Sequence, residues 1–379
     1  MNKYLKIGIP IFIFIIVCVY LYTKPKKMID KEQYINNETI NEISTYLISN
    51  IYKDDYFIYN PSIYWTKDNN IGVISRISGH SMIPRKNTCV NIHLKKSDNV
   101  YDQIDYINGF DDYIKIFGDK SSGSSGIVNY IIDQDKNTRS EASIINPFYS
   151  CNNVFDDPYL GYEDPRVFTF RNKLWIITYF RGVNFPYKSL VNTDKMGHNM
   201  MIFPLDQSEK PVLLYYDDMK SVEKNWMPFE YEDELYVVYS INPHKILYVN
   251  TESGLCTLAY STNYKLPFSH VGNGSPPQRI KIKDNEYFLG MGHTRGSYKN
   301  TITRKSFLYL FDSQPPFAIK KVSNVFNILS PFVPIEFGSG LLVDQENNLV
   351  YISFGVDDCH DKIVSLPITK VEKLLNINT

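Results

Sequence analysis

The chain has few cysteines, and those it has follow no pairing pattern. Its 379 residues include five, Cys18, Cys89, Cys151, Cys256 and Cys359, scattered without a CxxC pair. That gives no disulfide framework and no thiolate zinc site; at most two pairs among Cys89, Cys151, Cys256 and Cys359 are expected, and only in an oxidising compartment. A strong charge of one sign is also missing. Lys and Arg number 40 against 41 Asp and Glu, for a formal net charge of −1, so no nucleic-acid partner is expected, since that would call for a basic excess. There is no HExxH and no EF-hand loop. The one acidic triplet, "DQD" from Asp133 to Asp135, reads as a solvated turn, so neither a metal nor any other cofactor is expected. Helical periodicity is scarce as well, being confined to residues 30–53 and to the last dozen residues, which argues against a helical bundle.

What the chain does have is aromatic. Phe, Trp and Tyr make up 15% of it, with 30 Tyr and 22 Phe, a composition that suits β-structure and flat polar ligands such as sugars. The N-terminus opens with basic "MNKYLK", continues with the charge-free run Ile7 to Tyr22 and closes with "TKPKK". No small-x-small cleavage site follows, so the run reads as an uncleaved, single-pass signal-anchor. Lysines on both flanks leave its orientation open. If the body is lumenal, Asn37 and Asn273 are glycan acceptors by their N-x-S/T context. The domain plan is then an anchor over 1–29, a helical stalk over 30–55, a β-body over 56–368 and a C-terminal helix or tail over 369–379.

Within the body, one order of features occurs five times. The segments begin at Asn60 ("NPSIYWTKDNNIGVISR"), Asp164 ("DPRVFTFRNKLWIITYFRG"), Met227 ("MPFEYEDELYVVYS"), Pro276 ("PPQRIKIKDNEYFLGMGH") and Val333 ("VPIEFGSGLLVDQENNLVYISFG"). Each has a Pro, a short alternating strand, a polar turn and a strongly apolar strand that ends in polar residues. This is a β-hairpin whose starter Pro sits where no ladder N–H is needed. Five such hairpins predict an all-β, five-bladed β-propeller. In that geometry the Pro-proximal residues and the ends of the second strands converge at one mouth. The polar residues gathered there would be Arg76, Glu163, Asp164, Arg166, Arg181, Lys224, Asn225, His244, Asn273, His293, Arg295, Asp357 and Asp358.

In their order, these motifs resemble the five-bladed propeller enzymes that act on β-mannosides: the mannoside phosphorylases, with related β-mannosidases and β-1,2-mannosyltransferases. The resemblance covers residues 58 to 367. It rests on "NPSI…ISR", on "YEDPRVF…LWIITY" (the most specific match), on "EKNWMPFEYEDELYVVYS", on "GNGSPPQRI…YFLGMGH" and on "VYISFGVDD". It departs from the family at Lys224-Asn225-Trp226, where the family has Lys-Asp, and at "NPHK", where His244 is the nearest residue to a His-Arg pair.

The resemblance implies that Asp164 is a general acid for the departing glycosidic oxygen, in an environment where Glu163 and burial raise its pKa and Arg166 opposes them. It also implies that Arg76 and Lys224 hold an anion and that Asp358 accepts hydrogen bonds from sugar hydroxyls. Glu163, Arg166, Asn225, His244, Asn273, His293 and Arg295 complete the expected substrate set. Trp226 is a candidate stacking platform, and the "GNGSPP" turn a candidate donor of backbone N–H groups. The expected activity is transfer of a mannose-type sugar with inversion, as a phosphorylase or a mannosyltransferase, with phosphate or a sugar nucleotide as co-substrate. Two rivals stand beside it. An inverting β-mannoside hydrolase would need a second carboxylate such as Glu336 as base, and a non-catalytic glycan-binding propeller would need none.

Overall fold

The computed structural model describes residues 44–49, 56–79, 107–108, 125–133, 138–140, 142–145, 161–182, 197–220, 222–298, 301–329, 335–358 and 360–377. Among them the chain is built almost wholly of strands. The first, β1 (Ser44–Ser49), belongs to the last blade. Blade 1 comprises β2 (Tyr56–Trp65), β3 (Ile71–Gly79), the two-residue β4 (Ile107–Asn108), β5 (Ser125–Asp133), the two-residue β6 (Thr138–Arg139) and β7 (Ala142–Ile145). Blade 2 is β8 (Gly161–Phe170), β9 (Lys173–Gly182), β10 (Gly197–Pro204) and β11 (Val212–Leu213). Blade 3 is β12 (Met227–Tyr231), β13 (Glu234–Ser240), β14 (His244–Val249) and β15 (Cys256–Thr262). Blade 4 is β16 (Val271–Ile282), β17 (Asn285–Tyr298), β18 (Thr301–Asp312) and β19 (Ile319–Val322). Blade 5 is β20 (Glu336–Asp344), β21 (Leu349–Val356) and β22 (His360–Pro367), followed by helix α1 (Ile368–Leu374).

The five predicted hairpins are the first two strands of the five blades, paired antiparallel in each case. Their turns follow from local chemistry. Arg171-Asn172 and Glu232-Asp233 connect strands through two residues that both have positive φ, the backbone that matches the twist of a tight hairpin. The innermost strands β2, β8, β12, β16 and β20 pack each against the next, and β20 packs against β2, which closes the ring. Side-chain hydrogen bonds tie β2 to β8, to β20 and to β21. Ser62 Oγ accepts from Val167 N at 3.0 Å, and Ser339 Oγ and Ser353 Oγ each donate to Pro61 O at 2.6 Å.

The core is divided among the faces between blades. One apolar cluster joins blades 5, 1 and 2 around Ile74, Ile127 and Phe180, and a second joins 2 and 3 around Ile177 and Trp226. A third joins 3 and 4 around Phe229 and Phe311, and a fourth joins 4 and 5 around Leu308 and Phe354 and reaches Val371 of α1. This is what alternating strands in stacked, twisted sheets require, because both faces of every blade are covered and no single centre has to hold all the apolar surface.

One expected element is corrected. Residues 44–49, read as part of a helical stalk, form β1 and pair antiparallel with β22 as the outer strand of blade 5. The propeller therefore begins before residue 56. The physical reason is an edge: without β1, β22 would leave its backbone donors and acceptors unpaired. A short apolar segment takes the structure its neighbours offer. The expected anchor over 7–22 and the acceptor Asn37 lie outside the described residues. Among the described residues no helix is long and apolar enough to cross a membrane.

Candidate active site

The site starts from a defect in the inner strands. Pairing slips by one residue between Tyr59 and Ser62 in β2 and between Glu163 and Arg166 in β8. Asn60 and Asp164 take positive φ there, 55° and 49°, a conformation that Asn and Asp tolerate better than most residues. The following Pro61 and Pro165 have no N–H to lose at a bulge. The two bulges turn Asn60 and Asp164 toward each other, so that Asn60 Nδ2 donates to Asp164 Oδ1 at 2.7 Å.

Cations from two other parts of the ring complete the cluster. Arg76 of β3 places Nη1 3.4 Å from Asp164 Oδ1 and Nη2 3.3 Å from Glu163 Oε1, with its guanidinium over the ring of Tyr59. Lys224, in the segment leading into blade 3, donates to Glu163 Oε2 at 2.6 Å, with its ammonium 4.5 Å from the centre of the Tyr179 ring. Asp358, in the turn between β21 and β22 of blade 5, adds its field to Arg76 and Tyr59. Asp164, Glu163, Arg76, Lys224 and Asp358 are thus brought together as expected. Residues 76 and 224 approach the same pair of carboxylates from opposite neighbours of blade 2.

The electrostatics differ from expectation in one respect. Burial raises the Asp164 pKa, as predicted, but Arg76, Lys224, Arg166 and the Asn60 amide together outweigh it and hold the carboxyl down to about 2. Glu163 does not act as a lone repulsive neighbour, because its charge is taken up by Arg76 and Lys224. For Arg76, burial opposes the charge, and the carboxylates of Glu163, Asp164 and Asp358 outweigh it and raise its pKa above the ordinary value.

Arg166 is fully buried, and two of its three nitrogens donate to the backbone. Nε reaches Gly274 O at 2.5 Å in blade 4, and Nη1 reaches Asp164 O at 2.6 Å. Burial lowers its pKa to about 10. It spans the ring between inner strands and supports Asp164 from below; it is not shown holding an anion. His293 of β17 lies edge-on to Phe337, and burial together with Arg304 and Arg166 lowers its pKa to about 3, so the ring is neutral. Arg295, two residues on, is exposed. Arg181 lies on β9, and its side chain is outside the described ones.

Several candidates are placed elsewhere. His244 sits between blades 3 and 4 with its ring edge-on to Phe311, and burial lowers its pKa to about 4. It belongs to the aromatic core. Asn273 donates its amide to Val238 O at 3.1 Å and Tyr239 O at 2.9 Å. It ties blade 4 to blade 3 and is closed to glycosylation. Trp226 is fully buried and donates Nε1 to Glu223 Oε2 at 2.9 Å, so it is no stacking platform. The "GNGSPP" stretch, expected as a turn, lies within strand β16, where the Gly274 amide donates to Met227 Sδ at 3.3 Å. Glu336, the candidate hydrolytic base, is fully buried and accepts from the backbone N–H groups of Ile328 and Leu329. Asn225 keeps a positive φ of 62°, and its buried Oδ1 has no hydrogen-bond partner among the described residues. For His244, Asn273 and Trp226, packing against a neighbouring blade decided the outcome, and that packing leaves no local mark in sequence.

Two residues were missed as parts of the site. Asn60 was visible only as the opening of a motif. Glu223, which is buried, accepts from Lys220 N, from Trp226 Nε1 and from Tyr239 OH at 2.9 Å. It therefore anchors the segment that presents Lys224. The signal for Glu223 was its place beside Lys224 and three residues before a Trp that needed an acceptor. Among the described residues no group of His, Cys, Asp and Glu is placed to hold a metal ion.

No family model matches the chain. Over 149 residues it is 27% identical to β-mannosyltransferase 3 of Komagataella phaffii, covering 36% of this chain and 24% of that one. Over 158 residues it is 30% identical to β-mannosyltransferase 1 of the same yeast, covering 37% and 24%. Its fold matches the β-1,2-mannobiose phosphorylase of Listeria innocua with a TM-score of 0.53 at 14% identity, over 89% of this chain and 100% of that one. The chain is similar to β-mannosyltransferases in sequence and to a mannoside phosphorylase in fold. The resemblance read from the hairpin motifs is found in both comparisons. The matched part spans about a quarter of the length of the curated relatives, 24% in each.

Proposed function

We propose that the chain transfers a mannose-type sugar with inversion, between an acceptor hydroxyl and a donor whose leaving group is a phosphate or nucleoside diphosphate. The observation that carries this reading is the ionised Asp164 set among Arg76, Lys224 and Arg166. In the synthetic direction the acceptor oxygen attacks C1, and the bond from C1 to the donor oxygen breaks. The leaving phosphate takes its electron pair to the cations, and the acceptor proton passes to Asp164. In phosphorolysis the same carboxyl returns that proton to the departing sugar oxygen. The synthetic direction starts from the ionisation state the site already holds. An anionic leaving group that draws Arg76 and Lys224 to itself also weakens the field that keeps Asp164 acidic, which makes it a better base as reaction proceeds.

The similarity to proteins named β-mannosyltransferases supports the same direction. The hydrolytic alternative loses its named base, because Glu336 is spent on backbone N–H groups. The reading extends the expected co-substrate, phosphate or a sugar nucleotide, to a proposal about this site. Membrane attachment through residues 1–29 remains part of it.

The test is turnover by the purified chain. Supplied with GDP-mannose or mannose 1-phosphate and a panel of mannosides, it is expected to release GDP or phosphate in step with a longer mannoside. Asp164→Asn should cut kcat by about 10²- to 10⁴-fold, the usual weight of a proton-transfer residue, without unfolding. Free mannose released with no donor or phosphate requirement would make the chain a hydrolase. Glycan binding that survives Asp164→Asn with no turnover in the parent would make it a binding module.

A further inference from the structure

We infer that Asn60 is a positioning residue that assigns separate tasks to the two oxygens of Asp164. The inference rests on the reading of Asp164 as the proton-transfer group. Both polar contacts of the Asp164 carboxylate with described residues fall on one oxygen: Asn60 Nδ2 at 2.7 Å and Arg76 Nη1 at 3.4 Å meet at Oδ1. No hydrogen bond from a described residue falls on Oδ2. An oxygen that already accepts two donors is a poor place for a proton, so the proton taken from the acceptor is held on Oδ2.

The geometry also indicates that Asn60 is not a substrate ligand. It is 2% exposed, against 9% for Asp164, and lies beneath the carboxylate in the bulge of β2. Its other amide atom, Oδ1, is buried and has no hydrogen-bond partner among the described residues. That oxygen lies against the backbone of Gly355, where an added Cβ would fall 2.0 Å from it. The fold thus keeps position 355 free of a side chain so that the amide fits, and no described residue donates to the amide oxygen while its NH₂ reaches Asp164. A buried acceptor without a partner is costly. Rotating the amide would relieve that oxygen only by aiming it at a carboxylate, so the orientation fits an ionised Asp164. The other ionisable groups around Asp164 are Glu163 and Arg166 on its own strand, Arg76 on β3, Tyr59 on β2, Lys224 before β12, His293 on β17 and Asp358 after β21. None of the cations among them donates to Oδ2.

The experiment is a direct titration of Asp164 by ¹³C NMR on the full chain labelled at the aspartate carboxyl, with the resonance assigned by its loss in Asp164→Asn. Two variants are compared with the parent. Asn60→Gly removes the donor yet tolerates the positive φ, and Asn60→Asp replaces the amide by a second carboxyl. The expected result is an upward shift of the Asp164 titration by about one unit in Asn60→Gly and by more in Asn60→Asp, where two carboxyls share a proton. In the transfer assay, Asn60→Gly is expected to lower kcat about tenfold, to move the acid limb of its pH profile in parallel and to leave KM nearly unchanged. An Asp164 titration that is unmoved in both folded variants would overturn the inference. So would a raised KM with kcat and pH profile unchanged, which would make Asn60 a ligand. A parent chain with no transferase activity would sink the proposed function and leave the titration to decide the role of Asn60.

Discussion

At the scale of single residues, the site depends on side chains that never meet substrate. Arg166 illustrates this. Replacing it by Met leaves two buried carbonyls, Gly274 O and Asp164 O, without their donor. We expect Arg166→Met to destabilise the chain by about 2–4 kcal/mol, measured by urea unfolding. Activity should fall further than stability does, because Asp164 is then no longer held. Glu223 is the parallel case for Lys224. With three donors converging on its carboxylate, Glu223→Ala should free the segment and raise KM for the phosphate-bearing donor about tenfold, with a smaller effect on kcat. Equal losses with donors that carry no phosphate would refute this. Asp164, Arg76 and Lys224 were legible in sequence because they sit in ordered motifs at hairpin ends. Trp226 and His244 were misread for one shared reason: a Trp or His beside a strand looks the same whether it faces a ligand or the next blade, and only packing distinguishes them.

At the scale of elements, what could be read depended on range. All five hairpins were legible, because strand alternation and turn chemistry are local and Arg171-Asn172 or Glu232-Asp233 announce a tight turn by residue type. The strand β1 was not, because its partner β22 lies more than 300 positions away along the chain. Its role predicts a particular failure. Proline at both Thr45 and Tyr46, which pair with Val364 and Ile363, removes a ladder donor whichever of the two points at β22. This double variant should expose the edge of blade 5. We expect a lower thermal midpoint and light scattering that grows with protein concentration, as an unpaired edge invites association. A melting curve and scattering indistinguishable from the parent would show that β1 does not protect the edge of blade 5.

At the scale of the whole molecule, the ring is held by apolar faces between blades, and two histidines are built into those faces. His293 is lowered to about 3 and His244 to about 4, each chiefly by burial. Their ordinary value in the unfolded chain is near 6.5, so between that pH and their folded values the unfolded state binds more protons. Stability therefore rises with pH across that window. The contribution is complete above pH 6.5 and is lost as pH falls toward 4 and 3, at about 1.4 kcal/mol per unit for each ring. Asp164 has the same sign lower down: its stabilisation is present above its ordinary value near 3.8 and is lost as pH falls toward 2. Unfolding midpoints in urea should therefore drop between pH 6.5 and 4. Replacing His244 by Phe, which keeps an aromatic ring among Tyr309 and Phe311, should flatten that drop. An unchanged slope would mean that His244 is hydrated in solution.

The sequence by itself determined the class of architecture, the number of hairpins and the mouth at which they converge, because strand period, turn type and proline placement act over a few residues. It also determined that carboxylates and cations would share that mouth. The tertiary structure alone decided which cation reaches which carboxylate, that Asp164 is held ionised, that Asn60 sits beneath it and that Glu336 is spent on the backbone. Those outcomes depend on burial and on distances between strands far apart in the chain, and Coulomb and desolvation energies depend on position in space and not on order in the sequence.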